Sequence, residues 1–139
     1  MAETIHLDLV TPDRRLIAAE VEQVVAEGVL GEFTILPGHA NFITLLAPGE
    51  LSFTSEGKKK SVAVCGGFAE VTLKHGVRVM AEAAEFAEEI DRERARAAKE
   101  RAEKRIAAYE PASDIDLERA EIALKRALLR LLVAGKAGN

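Results

Sequence analysis

The chain has 139 residues, 48% hydrophobic and 30% charged, with a net charge of -4 and a pI near 5.5. This balance suits a globular protein in water and argues against a general binder of nucleic acid or of anionic membranes. Aromatics are 4% with no Trp, so the core must be mostly aliphatic, and the single Cys65 excludes an internal disulfide or a paired-cysteine metal site and fits a reducing cytosol.

The opening stretch Met1–Val10 carries no basic segment ahead of an apolar signal core, and no apolar run approaches the roughly 20 residues needed to span a bilayer. Any membrane association is therefore expected to run through a partner. Ile5, Leu7 and Leu9 alternate with His6 and Asp8, the period of a half-buried strand. Thr11-Pro12-Asp13 predicts a turn, and Val21, Val24 and Val25 a single further β-prone run. Short strands follow at Phe33–Leu36, Phe42–Leu46, Leu51–Thr54, Ser61–Cys65, Phe68–Leu73 and Val77–Ala81. Pro37-Gly38, Pro48-Gly49, Glu56-Gly57, Gly66-Gly67 and His75-Gly76 separate them, a rhythm that points to a sandwich or barrel.

From Glu88 the composition shifts to Ala and charged residues, with no Gly until Gly135. Helices are predicted over Glu88–Tyr109 and Asp114–Ala134, broken apart at Glu110-Pro111-Ala112, with Ser113 as the second helix's N-cap. So short a connection implies an antiparallel hairpin. At about 100° per residue, Ala95, Ala98, Ala102, Ile106 and Tyr109 share one stripe, flanked by Arg94, Arg101 and Arg105. Ala120, Ala123, Ala127 and Ala134 form the matching stripe, with Arg119, Arg126 and Arg130 on one flank and Leu117, Leu124, Leu128 and Leu131 on the other. An alanine seam permits close approach but removes little apolar area from water, at about 25 cal/mol per Å². The leucines call for cover by the β half or by a second protein.

From pattern alone the arginines read first as a solvated face with pairs such as Glu88–Arg92, Glu93–Arg96 and Glu100–Lys104. The sharper reading is an anion site, because Arg126 and Arg130 repel at i,i+4 and guanidinium forks suit phosphate. His39 reads as a turn or interface histidine, Lys58-Lys59-Lys60 as a solvated edge, and Cys65 as an inert core thiol. No nucleophile elbow, zinc-protease motif, P-loop or dinucleotide fingerprint occurs, so no catalytic or metal site is expected.

Several strings taken together carry a family resemblance. They are Val10-Thr11-Pro12, Gly31-Glu32-Phe33-Thr34-Ile35-Leu36-Pro37-Gly38-His39, Gly66-Gly67-Phe68-Ala69-Glu70-Val71, Ala81-Glu82-Ala83-Ala84-Glu85, Arg119-Ala120 and Leu124-Lys125-Arg126-Ala127. In this order and at this length the chain resembles the epsilon subunits of bacterial and chloroplast F-type ATP synthases and the mitochondrial delta subunit. Phe33-Thr34 stands where some members carry Leu-Gly.

The resemblance implies a flattened ten-stranded β-sandwich over residues 1–86 and a regulatory two-helix hairpin over 87–139. It implies a non-catalytic rotor subunit on the cytoplasmic face of the bacterial inner membrane, bound through partners. The sandwich would dock on the gamma subunit and meet the membrane rotor (c) ring through Glu32 and His39. The hairpin would inhibit ATP hydrolysis by extending along gamma to the alpha and beta subunits. Some members bind regulatory ATP through a motif that Ile90-Asp91-Arg92-Glu93-Arg94-Ala95 matches. The supporting positions are Glu85, Arg101, Arg126 and Arg130, and no cofactor is required. A free-standing β-sandwich binding module that oligomerises through its helices is the alternative of a different class.

Overall fold

A computed structural model describes residues 3–137. Ten strands form two five-stranded sheets. The first sheet has the order β2 (Arg15–Val21), β1 (Ile5–Val10), β9 (Gly76–Met80), β8 (Phe68–Thr72), β5 (Phe42–Leu45). The second has the order β10 (Ala83–Phe86), β7 (Lys58–Cys65), β6 (Gly49–Ser55), β3 (Gln23–Gly28), β4 (Gly31–Ile35). All pairings are antiparallel except β1 with β9. The β-rich run expected around Val21–Val25 is two strands, because the chain leaves the first sheet after Val21 and enters the second at Gln23. A period-2 pattern cannot report such a crossing, since residues on either side keep pointing into the same core.

The sheets face one another across an aliphatic core. Leu7, Leu9, Val77 and Val79 come from one sheet and Val24, Ile35, Leu51, Val62 and Val64 from the other. The β6–β7 hairpin turns at Glu56 and Gly57, both with positive φ (53° and 77°), the two-residue turn whose twist matches the strands it joins. β7 extends past β10, which covers only Val62–Cys65, so Lys58–Lys60 keep a free outer edge as expected.

The helical half differs from expectation at both starts. Residues Ala87–Glu89 form a 3-10 turn, Ile90 is extended (φ −71°, ψ 125°), and helix α1 runs only over Arg92–Ala107. Asp91 is its N-cap, accepting from the Arg94 amide at 3.1 Å. Helix α2 is Leu117–Ala134, capped by Asp116 through the Arg119 amide at 3.0 Å. Ser113 does not cap it: its hydroxyl donates to the Glu110 carbonyl at 2.7 Å and closes the connecting turn. The Asp side chains win because each is followed directly by residues free to turn helical, which satisfies the first orphan amides.

The two helices pack on the alanine seam, with Ala95, Ala102, Ala120 and Ala127 buried. The end of α2 lies on the outer face of the second sheet. There Val133 and Ala134 bury against Ala63, Ala87 and Ile90. Ser61–Cys65 is consequently buried on both faces, with Val62 and Val64 inward and the small Ala63 and Cys65 under the hairpin. The β half does not cover the leucine flank completely: Leu128 stays 45% exposed, and Leu132 beside the flank is 62% exposed.

Candidate functional site

The end of α2 is held by groups from three elements. Arg130 forks onto Glu85 of β10, with Nε donating to Oε1 at 2.8 Å and Nη2 to Oε2 at 3.2 Å. Lys136 pairs with Glu50 of β6. In the sheet register Glu85 lies beside Ala63, and Ala63 beside Glu50, so the two acids flank the buried contact of Ala63 with α2. Arg92, expected to pair with Glu88, instead donates from Nη2 to the Ala134 carbonyl at 2.6 Å and satisfies an orphan acceptor at the end of α2. Arg14, from the β1–β2 turn, forks onto Glu89 at 3.0 and 2.8 Å and steadies the segment leading into the hairpin. Of the expected helix-surface pairs, Glu93–Arg96 forms at 3.5 Å.

A cleft of about 540 Å³ opens where the hairpin meets the second sheet. Arg94 from α1, Arg126 and Arg130 from α2, and Glu85 from β10 line it over a floor that includes Cys65 and Ala63. Four of the expected anion-site residues therefore converge. The other four do not line this cleft: Ala95 is wholly buried in the helix seam, Ile90 is buried against Val133, and Asp91 is committed to capping α1. Arg101 lies in an adjoining cleft with Arg105 and Arg119. Ile90 and Asp91 thus shape the site by positioning α1, while Glu85 and Arg130 are joined to one another. Cys65, Ala63 and Ala83 are lining residues that the sequence alone did not signal, because they alternate on strands whose outer face is roofed only in the tertiary fold. Burial pushes the Cys65 thiol up, against the opposing pull of Arg126 and Arg130, as befits an unreactive thiol.

Burial works against the Glu50 carboxylate, yet the bond from Lys136, the Ser61 hydroxyl and the charges of Lys136 and Lys59 hold it below the ordinary carboxylate range. The tether is therefore at full strength above the unfolded glutamate pKa of about 4.3 and is lost as pH falls through the lower folded value. Glu89 titrates in the same sense, because the Arg14 fork holds its carboxyl down. Titration from about pH 6 to pH 3 is expected to loosen the last turn of α2, read as shifts of its amide resonances. Glu50→Gln should remove much of that dependence; a wild-type tail whose resonances do not move would show that this contact holds nothing.

The expected ring-contact residues lie elsewhere. Glu32 is exposed near the start of the edge strand β4, directly opposite Glu27 in the register. Two like charges facing across a strand pair repel, so a basic partner would relieve them. His39 sits in the loop after β4. Its Nδ1–H donates to the Ala40 carbonyl at 2.7 Å, and its ring meets the edge of Phe42, which packs in turn on Phe33. Among the described residues no group of three His, Cys, Asp or Glu side chains is arranged to hold a metal ion, and no helix is long and apolar enough to cross a membrane.

One surface escaped the sequence reading. On the outer face of the first sheet Val10 pairs with Met80, Met80 with Phe68, and Phe68 with Leu45, which makes a continuous apolar row. Met80 and Leu45 are 51% and 63% exposed, and Ile43 extends the patch by one strand repeat. The β3–β4 turn adds Leu30, 96% exposed, beside Val29, whose amide donates to the Leu45 carbonyl. Apolar side chains gathered in this way mark an interaction surface.

The fold and its two-part division have close parallels. The family model for the ATP synthase Delta/Epsilon chain, beta-sandwich domain, matches residues 4–87, and that for the Delta/Epsilon long alpha-helix domain matches 88–135. The ATP synthase epsilon chain of Geobacter sulfurreducens is 47% identical over 137 residues, 99% of this chain and 98% of the relative. That of Nitratidesulfovibrio vulgaris is 49% identical over 107 residues, 77% of this chain and 79% of the relative. A chain of the Euglena gracilis mitochondrial ATP synthase OSCP/F1/c-ring structure superposes with a TM-score of 0.80 at 30% identity, covering 98% of this chain and 83% of that one. With both halves matched and relatives aligned along almost its whole length, the chain belongs to the ATP synthase delta/epsilon family.

Proposed function

We propose that this chain is a non-catalytic central-stalk subunit of an F-type ATP synthase, and that its hairpin is a nucleotide-sensitive inhibitor of ATP hydrolysis. The sandwich would sit between the gamma subunit and the membrane rotor ring, at the cytoplasmic face of the inner membrane. The apolar row Val10–Met80–Phe68–Leu45 is the surface best suited to gamma, since it offers exposed apolar area without a charged rim in the row itself. Glu32, unrelieved beside Glu27, suits the polar loops of the ring, with His39 on the same edge of the sandwich. The helices would reach the alpha and beta subunits only when released.

The observation that carries the regulatory reading is the cleft of Arg94, Arg126, Arg130 and Glu85 between hairpin and sheet. Its walls come from both halves of the molecule, so only the docked hairpin presents it. Among the described residues Arg94 and Arg126 have no carboxylate within salt-bridge distance. A triphosphate would supply charge-assisted bonds to these guanidinium groups. A ligand that binds the docked form alone stabilises it by RT ln(1 + [L]/Kd), about 2.7 kcal/mol at a hundredfold excess over Kd. Against a seam of alanines that margin decides between docked and released hairpins. ATP would hold the inhibitor down when plentiful and release it when scarce.

Titration of the purified chain with ATP, followed by NMR or calorimetry, tests this. Arg126→Ala should weaken binding by about tenfold, the loss of one charged hydrogen-bonding partner, and shift the hairpin toward its released form, with ATP left unhydrolysed. Millimolar ATP that changes neither chemical shifts nor thermal stability, or an Arg126→Ala chain that binds as well as wild type, would sink the sensing role.

A further inference from the structure

The five residues that join the sandwich to α1, Ala87 to Asp91, have the form of a helix interrupted at two positions. Ala87–Glu89 already make a 3-10 turn, and the Ile90 amide donates to the Ala87 carbonyl at 3.4 Å. The Phe86 amide donates to Glu89 Oε1 at 3.1 Å, the backward bond that an acid three residues on makes at a helix start. Beyond the turn, Ile90 and Asp91 have φ of −71° and −82°, close to helical values, and only their ψ of 125° and 102° break the helix. We propose, resting on the reading that the hairpin can leave the sheet, that this joint is a coil-to-helix switch. On release Ile90 and Asp91 turn helical, and α1 becomes one continuous helix from Ala87, anchored to the sandwich by Arg14 on Glu89.

Docking is what holds the joint open. Ile90 is buried in one small group with Ala63, Ala87, Val133 and Ala134, and two of those five residues leave with α2. Without them nothing distant draws Ile90 into an extended backbone, and local preference decides. Ala87, Glu88 and Glu89 are strong helix formers, and Ile90 and Asp91 are tolerated ones. Acids in a first turn suit the helix dipole. Continuity gives the Asp91, Arg92 and Glu93 amides the carbonyls of Ala87, Glu88 and Glu89 as acceptors. Against these stands the single cap bond from Asp91 to the Arg94 amide, which the Ile90 carbonyl replaces. A longer helix also sets Glu88 and Arg92 at i,i+4, the pairing that the docked form denies by sending Arg92 to the Ala134 carbonyl.

The first turn of the longer helix stays with the sandwich. Arg14 forks onto Glu89 at 3.0 and 2.8 Å from a turn that is itself closed, with the Thr11 amide donating to the Arg14 carbonyl at 2.9 Å and the Arg14 amide to Thr11 Oγ1 at 3.3 Å. Phe86 packs on the core and meets the edge of Phe53 at a centroid distance of 6.4 Å. These contacts involve no residue of α1 or α2, so they survive release. The released α1 is then a stiff arm leaving the sandwich in a set direction and not a loose tether. An arm ordered in advance loses less freedom when it meets a partner surface. The change is confined to about 145–165° of ψ rotation at two residues, the kind of short element-terminal segment that serves as a hinge.

The test uses the full chain with the hairpin forced off the sheet in two ways. Val133→Asp puts a charge into the contact with Ala63 and Ile90, and Lys136→Glu sets a like charge against Glu50. Val133 lies outside the main core, so the sandwich keeps its fold. Cys65, buried in the floor of the cleft under the hairpin, should react faster with a thiol reagent and so report release. In the released variants the Asp91, Arg92 and Glu93 amides should exchange about tenfold more slowly than in wild type, where a loose tether would exchange faster. The Ile90 and Asp91 Cα shifts should move to helical values. Adding Arg14→Ala should cost about two- to fivefold of that protection and let α1 tumble apart from the sandwich. Fast exchange with extended shifts in released chains overturns the switch, and protection and tumbling untouched by Arg14→Ala overturn the anchor; both leave the nucleotide reading standing. A Cys65 that stays shielded in both variants overturns release itself, and the inhibitory reading with it.

Discussion

A chain that stops after Glu89 is expected to fold as a sandwich and to lose all control over hydrolysis. The main core cluster contains no residue beyond Ala84, with Phe86 packed on its edge. Truncation therefore leaves that core whole and removes the hairpin with its alanine seam and the satellite residues Ile90, Val133 and Ala134, leaving Ala63 and Ala87 uncovered. Keeping Glu89 preserves the Arg14 fork and the bond from the Phe86 amide to the Glu89 carboxylate, which pin the new end to the sheet. Full exposure of one buried valine costs about 1.5–3 kcal/mol, and most of the group around Val133 leaves together with it, so the sandwich itself is little affected. Thermal unfolding should remain cooperative. Its midpoint should lie within about 8 °C of the full chain's, by the usual scaling for a domain of this size. In reconstituted ATP synthase the truncated chain should still couple the rotor, while hydrolysis becomes insensitive to its presence. Inhibition that survives the loss of residues 90–139 would place the inhibitory element in the sandwich.

The second large effect is expected at Gly67, between β7 and β8. Its φ is +106°, a region that side-chain-bearing residues rarely enter, and a Cβ there would lie 2.0 Å from the Met80 carbonyl oxygen and 2.8 Å from the Ala81 Cα. Both neighbours are backbone, and neither can yield without disturbing pairs on which the sheet depends. The Gly67 carbonyl accepts from Leu46, and the Ala81 amide donates to Val10. Strain of about 1–3 kcal/mol at the dihedral adds to a clash that only backbone movement relieves. Against a total stability of about 5–15 kcal/mol, Gly67→Ala should lower the midpoint by more than about 10 °C and weaken the apolar row through Phe68 and Met80. Gly57→Ala is the control: its φ is also positive, at +77°, but nothing lies within 4 Å of the added Cβ. A Gly67→Ala chain no less stable than Gly57→Ala would mean that close approach of backbones at this corner is not what requires glycine.

The division into a strand half and a helical half is written in the sequence, because alternation and the 3.6-residue period are local properties of the chain. The same holds for the opposed alanine seams and for the arginine flanks, where spacing alone assigns a face. Local competition blurred the helix starts. Ser113, Asp114 and Asp116 are all cap residues within one turn, and only the closing of the Glu110–Ser113 turn leaves Asp116 to α2. At the start of α1 the Ala- and charge-rich composition runs on through Glu88–Asp91, yet Ile90 is drawn into an extended backbone by burial against Val133, far away in sequence.

What the tertiary structure alone decided is which surfaces meet. Glu85 and Arg130 are 45 residues apart and Glu50 and Lys136 are 86 apart, so no window of sequence contains either pair. The apolar row across the first sheet likewise draws one residue from each of four strands. The sequence by itself determined the kind of elements, their amphipathic faces and the residue types available for binding an anion. It could not determine that Arg94, Arg126 and Arg130 would share a cleft with Glu85 while Ile90 and Ala95 turned inward. Periodicity reports how a residue is oriented on its own element. Sheet order and the seating of α2 on β7 determine what lies opposite, and those follow from burying apolar surface over the whole chain.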